Sequence, residues 1–211
     1  MRFSILIPTA GRWELIRAAV QSVLGQSNQD FEIVIVDLSA AHAARVSELN
    51  DSRIRYFSAP PGGPFTTWDY AAKQARGEYA LWLDDDNLLF PYALELFDRA
   101  IRCSRADIVT ASHLYYYDSQ HPRHYLRNSI GVIPFTGETR EFSPREAIRA
   151  IFALDRRGPG QPFPRFHFSA TAISCRVIRA AIDRLGYALF TDGLGIHSLQ
   201  PVLFAFAQSG F

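Results

Sequence analysis

The chain has 211 residues, 48% hydrophobic and 20% charged, enough to bury one core and too few for two ordinary domains. With 22 basic and 21 acidic side chains the net charge is +1, so no surplus field exists to hold a phosphate backbone or an anionic bilayer. Nucleic-acid binding and membrane-surface roles lose ground. Cys103 and Cys175 lie far apart without CxxC spacing, which argues against a zinc knuckle, a redox pair or a disulfide framework. Both are expected as buried thiols in a reducing compartment. No apolar run of about eighteen residues and no signal peptide occurs, so the chain is expected to be cytoplasmic, without a transmembrane segment. Every basic residue except Lys73 is arginine, a bias that genome composition explains as well as a binding surface does.

In chain order, Phe3 to Ile7 reads as a central strand buried on both faces and ended by Pro8. Apolar residues at helical period from Arg12 to Leu24 predict a crossover helix that stops at Gly25. A second strand, Phe31 to Val36, ends on Asp37; a weaker helix, Ala40 to Leu49, and a short strand, Ile54 to Phe57, follow. Three prolines and two glycines make 58–64 a loop, after which Thr66 or Thr67 can cap a helix running to Gly77. Tyr79 to Leu83 is the next buried strand and runs into Asp84-Asp85-Asp86-Asn87. Pro91 then opens a helix through Ile101, and Ile108 to Ala111 is a further strand. This alternation predicts an α/β fold with a mostly parallel central sheet and helices on both faces.

The second half lacks that rhythm. Residues 113–127 hold four tyrosines and three histidines without period, and 155–165 is rich in proline and glycine, so both are expected as long irregular loops. Ser143-Pro-Arg-Glu146 has capping-box spacing and predicts a helix to about Leu154. A strand over 168–174, a helix from Arg176 to Leu185 closed by Gly186 and a terminal helix from Gln200 to Gln208 complete the chain.

Ligands of open α/β sheets bind beyond the carboxyl ends of the strands. Three polar features fall there: Thr9-Ala10-Gly11-Arg12, Asp37 and Asp84-Asp85-Asp86-Asn87. Neither GxGxxG nor GxxxxGK[ST] follows the first strand, so any nucleotide is held in another way. Three carboxylates on one tight turn repel one another unless a cation intervenes. A hard divalent ion, Mg²⁺ or Mn²⁺, would take one or two of them and complete its shell with water and phosphate oxygens. A solvated acidic turn capping the next helix is the plainer alternative.

Ser4-Ile-Leu-Ile-Pro-Thr-Ala, Ser-Val-Leu-Gly-Gln-Ser27, Phe31-Glu-Ile-Val-Ile-Val-Asp37 and Ala75-Arg-Gly-Glu-Tyr-Ala-Leu-Trp-Leu-Asp-Asp-Asp-Asn87, with Pro91, Leu94 and Glu95, resemble the inverting family 2 glycosyltransferases of the GT-A fold. The likeness covers roughly residues 3–100 and implies a Rossmann-like nucleotide-diphospho-sugar transferase domain. It further implies a nucleotide-sugar donor, a Mg²⁺ or Mn²⁺ ion, and transfer with inversion to an acceptor hydroxyl in polysaccharide or other glycan synthesis. By that resemblance Pro8, Thr9 and Ala10 would line the nucleotide pocket, and Asp37 would bond the base, usually uracil. Asp84, Asp85 and Asp86 form the DxD-type motif, with Asp86 the direct metal ligand, Asp84 beside it, and Asp85 on the ribose or sugar. Arg76 would lie on the diphosphate side, although an exposed helix-end arginine reads equally well. Two departures stand out: Leu38 replaces a second acid after Asp37, and Asp69 and Ala71 replace an Asn-x-Gly pair, which predicts an unusual donor pocket.

Inversion needs a general base on the acceptor side. The family's Glu-Asp pair is missing; Asp192, in Phe190-Thr-Asp192-Gly-Leu-Gly, is its nearest counterpart, with His197 as runner-up and Asp155 and Asp183 behind. The whole chain is expected as one domain, 1–112 forming the donor half and 113–211 the acceptor half. The aromatic second-half segments could stack on a sugar ring or merely cover the core. The acceptor is expected to be a glycan or a lipid-linked glycan, with any membrane association made through a partner; the sequence leaves the oligomeric state open. A non-catalytic nucleotide-sugar-binding domain and a sugar nucleotidyltransferase are the alternatives. Ending at Phe211, the chain fits either a minimal enzyme or one lacking a C-terminal segment.

Overall fold

The structure, a computed structural model, describes residues 1–63, 65–132, 139–151, 167–186, 189–190 and 196–210. Strand β1 (Phe3–Thr9) is buried at every position, as an apolar run broken only by Ser4 before Pro8 and Thr9 requires when helices cover both faces of a sheet. Helix α1 (Trp13–Leu24) turns Trp13, Ile16, Ala19, Val20 and Val23 inward and returns the chain to β2 (Phe31–Asp37), also buried throughout. β3 (Ile54–Ser58) pairs outside β2. Helix α2 (Phe65–Gln74) leads to β4 (Tyr79–Trp82), α3 (Ala93–Ser104) and β5 (Ile108–Thr110). The rest supplies β6 (Leu114–Tyr117), β7 (Ser129–Val132), α4 (Pro144–Ile151), β8 (Thr171–Ser174), α5 (Cys175–Leu185) and α6 (Ile196–Phe206).

Among the described residues, six strands form one sheet in the order β3-β2-β1-β4-β8-β5. β1, β2, β3 and β4 run parallel, whereas β8 lies antiparallel between β4 and β5. The expected α/β architecture is therefore observed, with a second-half strand threaded between two first-half strands. Alternation splits the core cleanly. Ile5, Ile7, Ile33, Ile35, Leu81 and Leu83 meet α1 and α3 on one face, while Leu6, Val34, Val36 and Trp82 meet α2, α5 and α6 on the other.

The amino ends of these strands are fastened by buried polar groups. Ser4 Oγ donates to Glu32 Oε1 (2.6 Å), Arg55 Nη1 to Glu32 Oε2 (2.9 Å), and the Gly77 N–H to Ser4 Oγ (2.8 Å). A Cβ on Gly77 would stand 2.8 Å from the backbone of Phe3 and Ser4, so only glycine lets the chain cross here before entering β4.

Other expectations need correction. Residues 40–49 do not make an amphipathic helix; a 3-10 segment over Ala43–Leu49 fully buries none of its side chains, and only Val46 and Leu49 rest partly against the core, too little to hold a longer helix. Neither Thr66 nor Thr67 stands at the cap of α2; both lie within the helix, which begins at Phe65. Residues 113–127, expected as irregular, open instead with one strand of an antiparallel ribbon, β6–β7, whose period is hidden because tyrosines occupy both faces. The 168–174 run is a 3-10 turn, Phe168–Ala170, before β8. α6 starts at Ile196 rather than Gln200. Cys175 is buried as expected, and burial pushes its thiol up to about 12; Cys103 is exposed on the outer side of α3.

Candidate active site

The carboxyl ends of β1, β2 and β4 converge on Thr9. Its backbone pairs in register with Asp37, and its oxygen accepts the Leu38 N–H (2.9 Å). Its hydroxyl donates to Asp85 Oδ2 (2.5 Å) and accepts the Gly11 N–H (3.2 Å). Gly11 has φ +92°, and a Cβ there would stand 2.5 Å from Ser39 Oγ, so glycine permits both the turn and the contact between the two loops. Pro8 precedes Thr9 in the buried strand, and Ala10 is exposed at its mouth.

Asp37 is fully buried, and its carboxylate is shaped by three donors. The Ser39 N–H (2.9 Å) and Ser39 hydroxyl (2.7 Å) reach Oδ1, and the Tyr56 hydroxyl reaches Oδ2 (2.8 Å). Burial and the bond to Asp37 raise the Tyr56 pKa, keeping this donor protonated. His42 closes the neighbouring loop, its Nε2 2.7 Å from Gly11 O and its ring 5.4 Å from that of Trp13.

The three acids of the turn have three environments. Asp84 is largely buried, and burial, with repulsion from Asp86, pushes its carboxyl up to about 6. Its Oδ2 accepts from Asn87 Nδ2 (3.3 Å) and Ser169 Oγ (3.4 Å), and the Asn87 N–H to Asp84 O bond (2.9 Å) closes the turn. Asp85 is 2% exposed and committed to Thr9 and to Arg12, whose Nη2 and Nε donate to its two oxygens. Asp86 projects outward, 51% exposed, and receives Arg12 Nη1 at 3.2 Å.

A divalent ion fits this donor set in one manner. Asp85 has its oxygens occupied, which leaves Asp84 and Asp86 as the carboxylates able to turn to a cation. Among the described residues no group of three or more His, Cys, Asp or Glu could hold a metal. Two carboxylates completed by water and diphosphate oxygens is an ordinary arrangement for Mg²⁺, which is seldom caged by protein alone.

Pro8, Thr9, Ala10, Asp37, Asp84, Asp85 and Asp86 thus share one end of the sheet. Arg76 does not join them. Its N–H donates to Ser4 Oγ (3.1 Å) and Glu32 Oε1 (2.8 Å), at the amino ends of the strands. Five residues of β1, roughly 16 Å, separate Ser4 from Thr9; Arg76 is an exposed residue on the wrong edge for a diphosphate. Asp192 and Asp155 lie outside the described residues, as does the side chain of His197, whose backbone belongs to α6. Asp183 lies in α5. His113, His121 and His124 share no centre: their rings pack on His167 (4.4 Å), Tyr117 (4.9 Å) and Tyr125 (5.9 Å) respectively.

Two features of this region escaped sequence reasoning. Arg12 belonged to a recognised polar loop, but its ion pairs reach residues over seventy positions away; a lone arginine facing a triple acid was the only signal. Asp69, read as a departure in the donor pocket, is buried and accepts the N–H groups of Leu189 (2.7 Å) and Phe190 (3.1 Å) on Oδ1. Phe190 in turn packs on Phe65, Trp68, Trp82 and Phe168 with ring centroids 5.2–6.4 Å away. Ala71 is a fully buried core residue. The substituted pair therefore holds the second half against α2 and β4.

Residues 4–178 match the family model described as Glycosyl transferase family 2. An uncharacterized glycosyltransferase of Rickettsia bellii is 31% identical over 100 residues, 45% of this chain and 14% of its own length. The GalNAc(5)-diNAcBac-PP-undecaprenol beta-1,3-glucosyltransferase of Campylobacter jejuni is 31% identical over 99 residues, 44% of this chain and 32% of its own. The crystal structure of S. aureus TarS 1-349 superposes on the whole chain with a TM-score of 0.65 at 18% identity, the chain covering 58% of it. A complex of the same protein with UDP gives 0.63. The matched stretches thus span a minor part of these two relatives, and the chain little over half of TarS 1-349.

Proposed function

This chain belongs to glycosyl transferase family 2, and from that premise we propose that it moves a sugar from a nucleotide-diphosphate donor, a UDP-sugar by preference, to an acceptor hydroxyl with inversion. The observation that carries this reading is the convergence of Thr9, Asp37 and the acidic turn at the carboxyl ends of three adjacent parallel strands. Asp37, oriented by Tyr56 and Ser39 and fully buried, would have to be uncovered to accept the N–H of a base such as uracil. Thr9 and Ala10 would line its pocket.

Asp84 and Asp86 would hold Mn²⁺ or Mg²⁺, which when bound neutralises the departing diphosphate. Asp85 stays with Thr9 and Arg12, fixing the turn that presents its neighbours. In the reaction the acceptor oxygen forms the new bond to the anomeric carbon, the bond from that carbon to the diphosphate oxygen breaks, and the nucleoside diphosphate carries away the electron pair. The acceptor proton passes to a general base, a role we give to Asp192 on sequence grounds. The Campylobacter relative is named for a polyprenyl-diphosphate-linked glycan, and a glycan or lipid-linked glycan is the acceptor class we assign here. No helix among the described residues is long and apolar enough to cross a membrane.

Thermal shift with UDP, with and without Mn²⁺, tests the donor site. Metal-dependent stabilisation is expected in the wild type and its loss in Asp86→Ala; stabilisation that survives the substitution rejects the metal role. Asp192→Asn should keep UDP binding and lose transfer. Undiminished transfer rejects it as base.

A further inference from the structure

We propose that Arg12 is a displaceable counter-ion of the acidic turn: it neutralises Asp86 in the unloaded protein and cedes it to a divalent cation when a nucleoside diphosphate arrives to receive the guanidinium. The inference rests on the donor-site reading above and gives that site an order of events.

A guanidinium carries five N–H groups. In Arg12, Nε and Nη2 each give one to Asp85, and Nη1 gives one to Asp86 Oδ2 at 3.2 Å. One N–H on each Nη remains, on a side chain 53% exposed. The two ends of the fork differ in permanence. Asp85 is buried and also bound by Thr9, so the Asp85 side is the fixed end; Asp86 is half-exposed and held by one bond, so it is the end that lets go.

A cation approaching Asp86 alone meets a positive charge already in hydrogen-bond contact with the same carboxylate, and must both displace it and tolerate it nearby. A diphosphate removes both obstacles. Its oxygens accept the two spare N–H groups and then Nη1, in the planar geometry that suits arginine to phosphate. Metal and nucleotide therefore favour one another by reciprocal coupling, beyond the direct bonds between them. Arg12 acts on the metal through Asp86 and is a positioning residue toward it.

The test is titration of Mn²⁺, read from the paramagnetic resonance of the free ion, with and without saturating UDP. Wild type should bind Mn²⁺ weakly alone and more tightly with UDP. Arg12→Gln should bind Mn²⁺ alone roughly tenfold more tightly than wild type, gain less from UDP, and bind metal-free UDP less well. Arg12→Lys, which keeps the charge, should resemble wild type with metal alone. If Arg12→Gln unfolds because Asp85 is left unpaired, the same comparison is made between Arg12→Gln/Asp85→Asn and Asp85→Asn. Mn²⁺ affinity that is unchanged or weaker without Arg12 overturns the role while leaving the donor site standing. Failure of wild type to bind Mn²⁺ with or without UDP removes both.

Discussion

Asp84→Asn should make the protein more stable at neutral pH, although it removes a carboxylate proposed to serve the reaction. The Asp84 pKa is raised from 3.8 to about 6, chiefly by burial and then by Asp86. The native carboxyl therefore holds its proton more tightly than the unfolded chain does. Between about pH 4 and pH 6 the native state binds more protons, so wild-type stability falls as pH rises through that window. At about 1.4 kcal/mol per unit, a shift of this size costs the ionised protein on the order of 3 kcal/mol. An asparagine carries no charge to desolvate, and its amide oxygen can still accept from Asn87 and Ser169. Urea unfolding at pH 7.5 should then show the variant about 3 kcal/mol more stable than wild type, the difference shrinking toward zero near pH 4. Other titrating groups cancel in the comparison. An equal difference at both pH values, or a variant less stable at pH 7.5, refutes the assignment of that strain to Asp84.

Two further predictions concern residues beside the site. Asp69→Ala leaves the buried N–H groups of Leu189 and Phe190 without their acceptor and should cost about 2–4 kcal/mol in urea unfolding, while Asp69→Asn, which keeps an acceptor, should cost less than half as much; an alanine variant within about 0.5 kcal/mol of wild type contradicts the anchoring role. Tyr56→Phe removes a donor to a carboxylate with no solvent exposure. It should cost about 1–3 kcal/mol and weaken UDP binding, both measurable by thermal shift, whereas wild-type stability and UDP response would show that Ser39 alone orients Asp37.

How far the sequence spoke depended on where each partner lay. β1, β2 and β4 are mainly apolar runs, broken by Ser4 and Glu32 and leading into Pro8-Thr9, Asp37 and Asp84, so strand, burial and the carboxyl-end position of Thr9, Asp37 and Asp84 were all legible locally. β8 was not. Its four residues become an interior strand because β4 and β5 leave a gap for them, which no local period announces. Arg76 misled because a helix end near β4 in sequence is remote from that strand's carboxyl end in space. Arg12 and Asp69 were visible as residue types but not as roles, since their partners stand 73 and 120 positions away.

The place of β8 also governs how the molecule can be made. Until Thr171–Ser174 has been synthesised, β4 and β5 have no strand between them, and the Trp82 ring lacks Phe168 and Phe190 as neighbours. A chain of the first hundred or so residues therefore carries an open sheet edge beside a Trp82 ring that stacks on Trp68 but on neither phenylalanine. An edge of that kind can pair with the wrong strand, and the loops that carry Thr9, Asp37 and Asp84 have no strand beyond β4 until β8 inserts.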